Sequence, residues 1–221
     1  LPLHHVYECT VGMLVSLYVG AERSFCDGIR HIVENLNEYK ITYAAFVPAI
    51  YEIMYKNIWK TLEKEGKIEE TKKLMEEYKD KSMEEKKKVF QEIHDIYGGN
   101  IKLFISGAAA LDKEVIETFR NWGINLCQAY GLTETSPIIG IETNEHHRIG
   151  SIGKPIPHVQ ARIDEADEDG VGELVVKGPN VMLGYYNDKK ATESVMEDGW
   201  FHTGDLAKID KDGYIFICGR K

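Results

Sequence analysis

Residues 101–137 read IKLFISGAAALDKEVIETFRNWGINLCQAYGLTETSP, and this stretch decides the fold. Residues 101–105 are an apolar run, residues 106–110 are small, and Asp112 stands where a helix N-cap belongs. Gly123 follows Trp122 where that helix must stop, and residues 124–128 form a second buried-strand run. Strand, small-residue loop, helix and strand make the unit that builds a parallel sheet covered by crossover helices. Ligands in such sheets sit beyond the carboxyl ends of the strands. Residues 106–110 and 129–137 are therefore the first places to look for chemistry.

Working outward, residues 8–20 and 27–39 read as helices, the second opened by Asp27 as N-cap. Residues 41–47 are a short strand stopped by Pro48, and residues 49–62 carry Ile50, Ile53, Met54 and Ile58 on one helical face. Between Lys56 and Lys88 the composition turns to Lys and Glu, and Ser82-Met83-Glu84-Glu85 spells a capping box for a helix that Gly98-Gly99 breaks. With acids and lysines interleaved, this stretch reads as a solvated helical insertion. The same lysines also suit a membrane surface or an acidic partner, which leaves peripheral membrane contact open.

After residue 143 the texture changes to short alternating strands at 159–163, 172–176, 206–209 and 214–218. Asp169-Gly170, Asp198-Gly199 and Asp212-Gly213 mark turns. The expected fold is thus α/β: a mostly parallel sheet with flanking helices over residues 1–143, including the insertion at about 56–97, then a small antiparallel β-barrel-like subdomain over 144–221.

The whole chain has 221 residues with 27 basic and 36 acidic side chains, a net charge of −9. Phosphate-backbone binding at physiological salt comes mostly from Lys and Arg, so this balance argues against a general nucleic-acid binder. With 43% hydrophobic and 29% charged residues the chain can bury a core, which excludes wholesale disorder. No apolar run approaches the roughly 20 residues that span a bilayer. Cys9, Cys26, Cys127 and Cys218 lack metal-type spacing and lie in apolar surroundings, which predicts buried, reduced thiols and a cytoplasmic setting. Leu1-Pro2-Leu3 begins inside an apolar segment without Met, and Gly219-Arg220-Lys221 carries no stop signal, so the chain reads as part of a longer one.

Three segments carry candidate chemistry. In AYGLTETSP, residues 129–137, Tyr130 offers a ring, Gly131 a turn, Thr133 and Thr135 hydroxyls and Glu134 a carboxylate able to hold magnesium. By composition alone it is equally a polar loop. Ser106 to Ala110 let a flat ligand approach the backbone, or simply allow tight strand-to-helix packing. Asp205 stands behind Gly204, and Arg220 follows fifteen positions later: a carboxylate suits a ribose diol and a guanidinium donates as a planar fork, though either also suits a turn or a surface. No Ser-His-Asp or Cys-His arrangement is evident, and His146-His147 reads as a loop without metal-ligand partners.

Together, LPLHHVYE, SGAAAL, AYGLTETSP, GSIGKP, GELVVKGPNVMLGYY and DGWFHTGDLAKIDKDGYIFICGRK resemble, in family order, the adenylate-forming enzymes, the ATP-dependent acyl-CoA synthetases and their relatives. Within that family the chain, with its charged insertion, is most similar to long-chain fatty-acid CoA ligases. The resemblance implies attack of a carboxylate on the α-phosphate of ATP to give acyl-AMP and pyrophosphate, then transfer of the acyl group to coenzyme A. It implies that Gly107, Ala108 and Ala109 border the adenine, with Tyr130 against its face and Gly131 beside it. Thr133 is expected at the α-phosphate and Glu134 at magnesium, both as catalytic groups. Asp205 and Arg220 would take the ribose hydroxyls, Ile217 would support them, and His5 would line the acyl pocket. Such chemistry rests on positioning and charge neutralisation, not on a protein nucleophile. By the same resemblance the lysine-bearing phosphate loop lies before Leu1, and a hinge and a small domain with the catalytic lysine follow Lys221, so the piece alone is expected to be inactive. Activation of short-chain, aryl or amino acids on the same scaffold, and a non-catalytic AMP-binding module, are the alternatives.

Overall fold

The computed structural model describes residues 2–221, and by compactness the chain forms two units, residues 22–127 and residues 1–21 with 128–221. The boundary falls inside a strand.

In the unit of residues 22–127, β1 (Tyr43–Phe46) pairs in parallel with β2 (Leu103–Ser106), and β2 is followed in the sheet by β3 (Leu126–Gly131). Pro48 stops the strand as expected and becomes the first residue of a 17-residue helix, where its missing N–H costs nothing. On that helix Tyr51, Met54, Ile58 and Leu62 recur every three or four residues and are buried. They meet Phe104, Phe119 and Trp122, none of which retains exposed surface, and Tyr51 and Phe104 meet edge to face at 5.6 Å. The Tyr51 hydroxyl donates to the Ile105 carbonyl (2.9 Å), which ties the helix to β2.

Local signals place the other helices of this unit. Asp112 accepts the Glu114 N–H and starts the helix Lys113–Asn121. Ser82 and Glu85 form the capping box of the helix Met83–Val89, which the helix Gln91–Ile96 follows. Asp27 does not cap a helix: its carboxylate accepts from the Asn35 side chain, and the helix Ile32–Glu38 begins five residues later, after a single turn at Ile29–His31. A partner eight residues away competed successfully for the side chain that a cap would have used.

The other unit is mostly antiparallel. β3 continues into β4 (Ile138–Ile141), which pairs with the two-residue β5 (Lys154–Pro155). A second sheet runs in the order β10 (Ile215–Arg220), β9 (Trp200–Ile209), β7 (Gly172–Lys177), β6 (Gln160–Asp164), with β8 (Met196–Glu197) against β9. Ile152 N–H donates to the Ile215 carbonyl and Ile215 N–H to that of Gly153, so the two antiparallel layers are stitched beside β10. Ile139, Ile152, Leu174, Val176, Phe201, Ala207 and Ile215 fill the space they enclose. Residues 8–18 are helical here too, wound wide as a π-helix over Glu8–Val15.

Of the four cysteines expected to be buried, Cys127 is, Cys9 is half-buried, and Cys26 and Cys218 are exposed. Cys26 lies in an irregular stretch before the first helix of its unit, and Cys218 is the extra residue of an irregular strand end, so neither has a packed face to join. Among the described residues no helix is long and apolar enough to cross a membrane.

Candidate functional site

The antiparallel unit brings three predicted residues together. β9 alternates strictly, so Phe201, Thr203, Asp205 and Ala207 share its buried face, and Asp205 is the one formal charge among them. A carboxylate withdrawn from water needs donors. Tyr130, 75 residues earlier on β3, donates its hydroxyl to Asp205 Oδ2. Arg220 brings its Nε to 3.4 Å from Asp205 Oδ1 and is otherwise largely exposed. Burial first, and the Asp205 carboxylate second, push the Tyr130 phenol well above its usual range, so it remains a donor at any physiological pH.

Two irregularities set this geometry. Ile217 pairs with Ala207, but Arg220 pairs with Asp205, because one extra residue bulges out between Ile217 and Gly219. Without that bulge Arg220 would fall opposite Gly204 and the side chains would alternate out of step. On the other side of β9, Gly204 adopts φ +71° at the register break against β7, a conformation that suits glycine. The Gly204 N–H is fixed by Glu173 Oε1 (3.0 Å), whose Oε2 takes Lys221 Nζ at 2.9 Å. Burial raises the Glu173 pKa, yet Lys221, His202 and the Gly204 N–H outweigh it and hold the carboxyl below its usual range.

Beyond Tyr130 the chain turns through Thr133–Thr135. Gly131 is dictated by packing, since a Cβ there would lie 1.7 Å from the Pro137 carbonyl oxygen. The two threonines differ: Thr135 is fully buried and its hydroxyl accepts the Leu132 N–H, whereas Thr133 is exposed. Glu134 is half-buried and accepts a hydrogen bond from the Tyr185 hydroxyl at Oε1 (2.9 Å). Burial and that carboxylate raise the Tyr185 pKa. Ile217 packs at the edge of the unit's core. His5 accepts the Tyr7 N–H (3.2 Å), a local contact, and among the described residues no hydrogen bond joins it to the Tyr130–Asp205 pair.

Gly107, Ala108 and Ala109 belong to the other unit. There they leave β2 as a loop, with Gly107 N–H on the Phe46 carbonyl (3.3 Å) and Ala108 at φ +71°. An alanine in the left-handed region costs about 1–2 kcal/mol, so surrounding structure holds the loop in that shape.

Asn180 and Tyr185 were not singled out by their sequence. Asn180 Nδ2 donates to the carbonyls of Thr135 (2.9 Å) and Ile138 (2.8 Å), and Met182 N–H to that of Glu134 (2.8 Å). Residues 180–185 therefore clamp the turn that presents Glu134. Only the aromatic and amide residues within a Gly- and Pro-bearing stretch, GPNVMLGYY, hinted at it.

Among the described residues no group of three or more His, Cys, Asp or Glu could hold a metal ion. Glu134 offers a hard carboxylate oxygen, the donor type that magnesium takes when phosphates and water complete its shell. His147 Nδ1 lies 2.9 Å from Glu142 Oε1, but off the line of a hydrogen bond, and Glu142 is occupied by the N–H groups of Gln128 and Arg148.

Known proteins give this arrangement a context. The chain is 31% identical to the long-chain-fatty-acid–CoA ligase FadD15 of Mycobacterium bovis over 237 residues, and 31% identical to long chain acyl-CoA synthetase 3 of Arabidopsis thaliana over 247. All of the chain is covered in both, but it spans only 38% and 36% of their lengths. Among solved structures it resembles ATP-bound MatB of Rhodopseudomonas palustris (27% identity, TM-score 0.71, all of this chain and 39% of that one). It has the fold of the matching part of o-succinylbenzoate CoA synthetase of Bacillus subtilis in complex with AMP (22% identity, TM-score 0.71, all of this chain and 40% of that one). The family described as AMP-binding enzyme matches residues 1–186, more than four-fifths of the sequence, and it is to this family that the chain belongs.

Proposed function

We propose that the chain supplies the adenosine-recognising part of an acyl-CoA ligase, and that the acid activated is a long-chain fatty acid. The observation that carries this reading is the meeting of Tyr130, Asp205 and Arg220, remote in sequence, as a ring, an acceptor and a planar donor. Asp205 presents acceptors for a ribose diol, and Arg220 screens its charge from the nucleotide's own. Tyr130 has an apolar ring face for a base. Thr133, exposed at the start of its turn, donates to a phosphoryl oxygen, and Gly131, set beside the adenine by motif resemblance alone, lets that turn pack against the Pro137 carbonyl. Gly107, Ala108 and Ala109 join the adenine contacts, Ile217 the ribose support and His5 the acyl pocket, all on motif resemblance alone.

Glu134 is the residue that would hold magnesium, whose chemistry is to neutralise charge on the phosphates. Tyr185 fixes one oxygen of that carboxylate and the 180–185 segment its backbone. Coenzyme A accepts the acyl group in the whole protein, of which ATP, the acid and coenzyme A are the substrates. The named sequence relatives favour a long-chain acid, whereas solved neighbours include ligases of aryl acids, o-succinylbenzoate and anthranilate.

Titration of the chain with AMP in the presence of magnesium tests the nucleotide part. Asp205→Ala should weaken binding at least about tenfold, the low end for a single hydrogen bond to a charged group. Equal affinity of the two proteins removes Asp205 from the reading. For the acid, pyrophosphate exchange by the parent protein should peak with long acyl chains, and a peak at acetate, an aryl acid or an amino acid rejects that choice.

A further inference from the structure

Asp205 raises a question that its role toward ribose does not answer. It sits on the buried face of β9 between Thr203 and Ala207, and its side chain keeps only 12% of its surface open. An aspartate side chain turns easily about its last torsion, whose wells are broad. A carboxylate free to turn loses that freedom when it accepts two hydroxyls at once, which weakens binding. Here each oxygen has its own partner: Oδ2 takes the Tyr130 hydroxyl and Oδ1 faces Arg220 at 3.4 Å. Arg220 is 78% exposed and its contact is long, so it restrains little. Tyr130 is the firm restraint, on a ring anchored in β3 by its pairing with Gly140 of β4.

We propose that the Tyr130 hydroxyl is a positioning group that orients the Asp205 carboxylate for a vicinal diol, so that one side chain couples base contact to ribose selectivity. This rests on the adenosine reading of the site. Tyr130 works at two ends: the ring face meets the base, and the hydroxyl sets the acceptor for the sugar. Preference for a ribonucleotide over one lacking its hydroxyls then depends on an atom that need not touch the nucleotide.

The test compares AMP with 2′,3′-dideoxy-AMP by calorimetric titration of the full 221-residue chain. The unaltered chain should bind AMP at least tenfold more tightly than the dideoxy nucleotide. Tyr130→Phe keeps the ring and removes the hydroxyl. It should weaken AMP about tenfold, leave dideoxy-AMP within twofold, and so collapse the ratio. Asp205→Asn should collapse it too, and the double variant should be no worse than either single one, since both act through one interaction. A purely structural hydroxyl would instead weaken both nucleotides alike. A ratio in Tyr130→Phe equal to that of the unaltered chain overturns the proposal while leaving the adenosine reading intact. Failure of the unaltered chain to bind AMP overturns that reading, and the proposal with it. Should Tyr130→Phe lose cooperative unfolding, 4-aminophenylalanine at position 130, isosteric but a weaker donor, carries the same comparison: an intermediate ratio supports the proposal and an unchanged one overturns it.

Discussion

Gly131 shows how a residue chosen for chemistry can be compelled by packing. Its missing Cβ leaves room for the Pro137 carbonyl, which would otherwise lie at 1.7 Å, and the other near atoms belong to the backbone of residues 137 and 138. No rotamer change relieves such a clash, so Gly131→Ala must part β3 from β4. We expect a loss of about 3 kcal/mol or more, the upper end for overpacking, read as a lower urea midpoint at unchanged slope. Midpoints equal within error would mean that the turn yields freely. Tyr130, Glu134, Asp205 and Arg220 were picked out by motif resemblance, since each alone suits a polar loop, a turn or a surface equally well, and nothing local says that Tyr130 meets Asp205 across 75 residues. Tyr185 and Asn180 were not, since their value comes from contacts 51 and 45 residues away that no local pattern encodes. For the same reason Thr133 and Thr135 looked alike in sequence, and only burial separates them.

At the scale of elements, what was readable is what is written locally. The Ser82 capping box, the Asp112 cap, Pro48 at the start of its helix and the alternation of β9 follow from neighbours a few residues apart, whereas β7, expected to alternate, is buried on both faces from Gly172 to Val176. β4 and β5 were missed because Ile138–Ile141 is too short for a period and Lys154–Pro155 has none. The bulge near Cys218 was equally invisible, although it decides that Arg220 faces Asp205. A further element contact makes a prediction about pH. His94 is buried on the helix Gln91–Ile96, and its Nε2 meets the Trp122 carbonyl (2.9 Å) at the end of the helix Lys113–Asn121. Burial lowers its pKa from the usual 6.5, more than the carbonyl contact raises it. The unfolded chain therefore takes up this proton at a higher pH than the folded one. The stability concerned is complete above about pH 6.5 and is lost as pH falls through the folded pKa. The fall in Tm between pH 8 and 5 should be shallower in His94→Gln, which can donate to the carbonyl but does not titrate. His94→Ala should cost about 1–3 kcal/mol at pH 8 by leaving that buried carbonyl unpaired. Parallel pH profiles for the unaltered chain and the Gln variant would contradict the assignment.

Taken as a whole molecule, the chain carries −9, and the question is whether its lysine-rich helices make a local exception. Residues 56–88 hold eleven lysines against nine carboxylates. Several of those lysines are already paired: Lys67 with Glu65 and Glu92, Lys72 with Glu69, and Lys79 with Glu76. Lys86 is buried and donates to the Lys79 carbonyl (2.7 Å), so it faces no external anion. A polybasic surface gains about 1 kcal/mol per unpaired Lys or Arg near an anionic membrane. An excess of two charges, one of them withdrawn by burial, supplies too little, and beyond a Debye length of about 8 Å at 0.15 M salt the surplus is screened. Contacts to DNA phosphates obey the same arithmetic, since each neutralised phosphate needs its own cation. We therefore expect no cosedimentation with phosphatidylcholine vesicles containing phosphatidylserine, and no retention on duplex DNA, at 0.15 M salt. Lowering the salt to 0.02 M should not rescue either, because the longer screening length then exposes the ligand to the full negative charge of the chain. Vesicle binding that strengthens as salt falls and is lost on replacing Lys87 and Lys88 by Glu would show instead that these helices form a basic face.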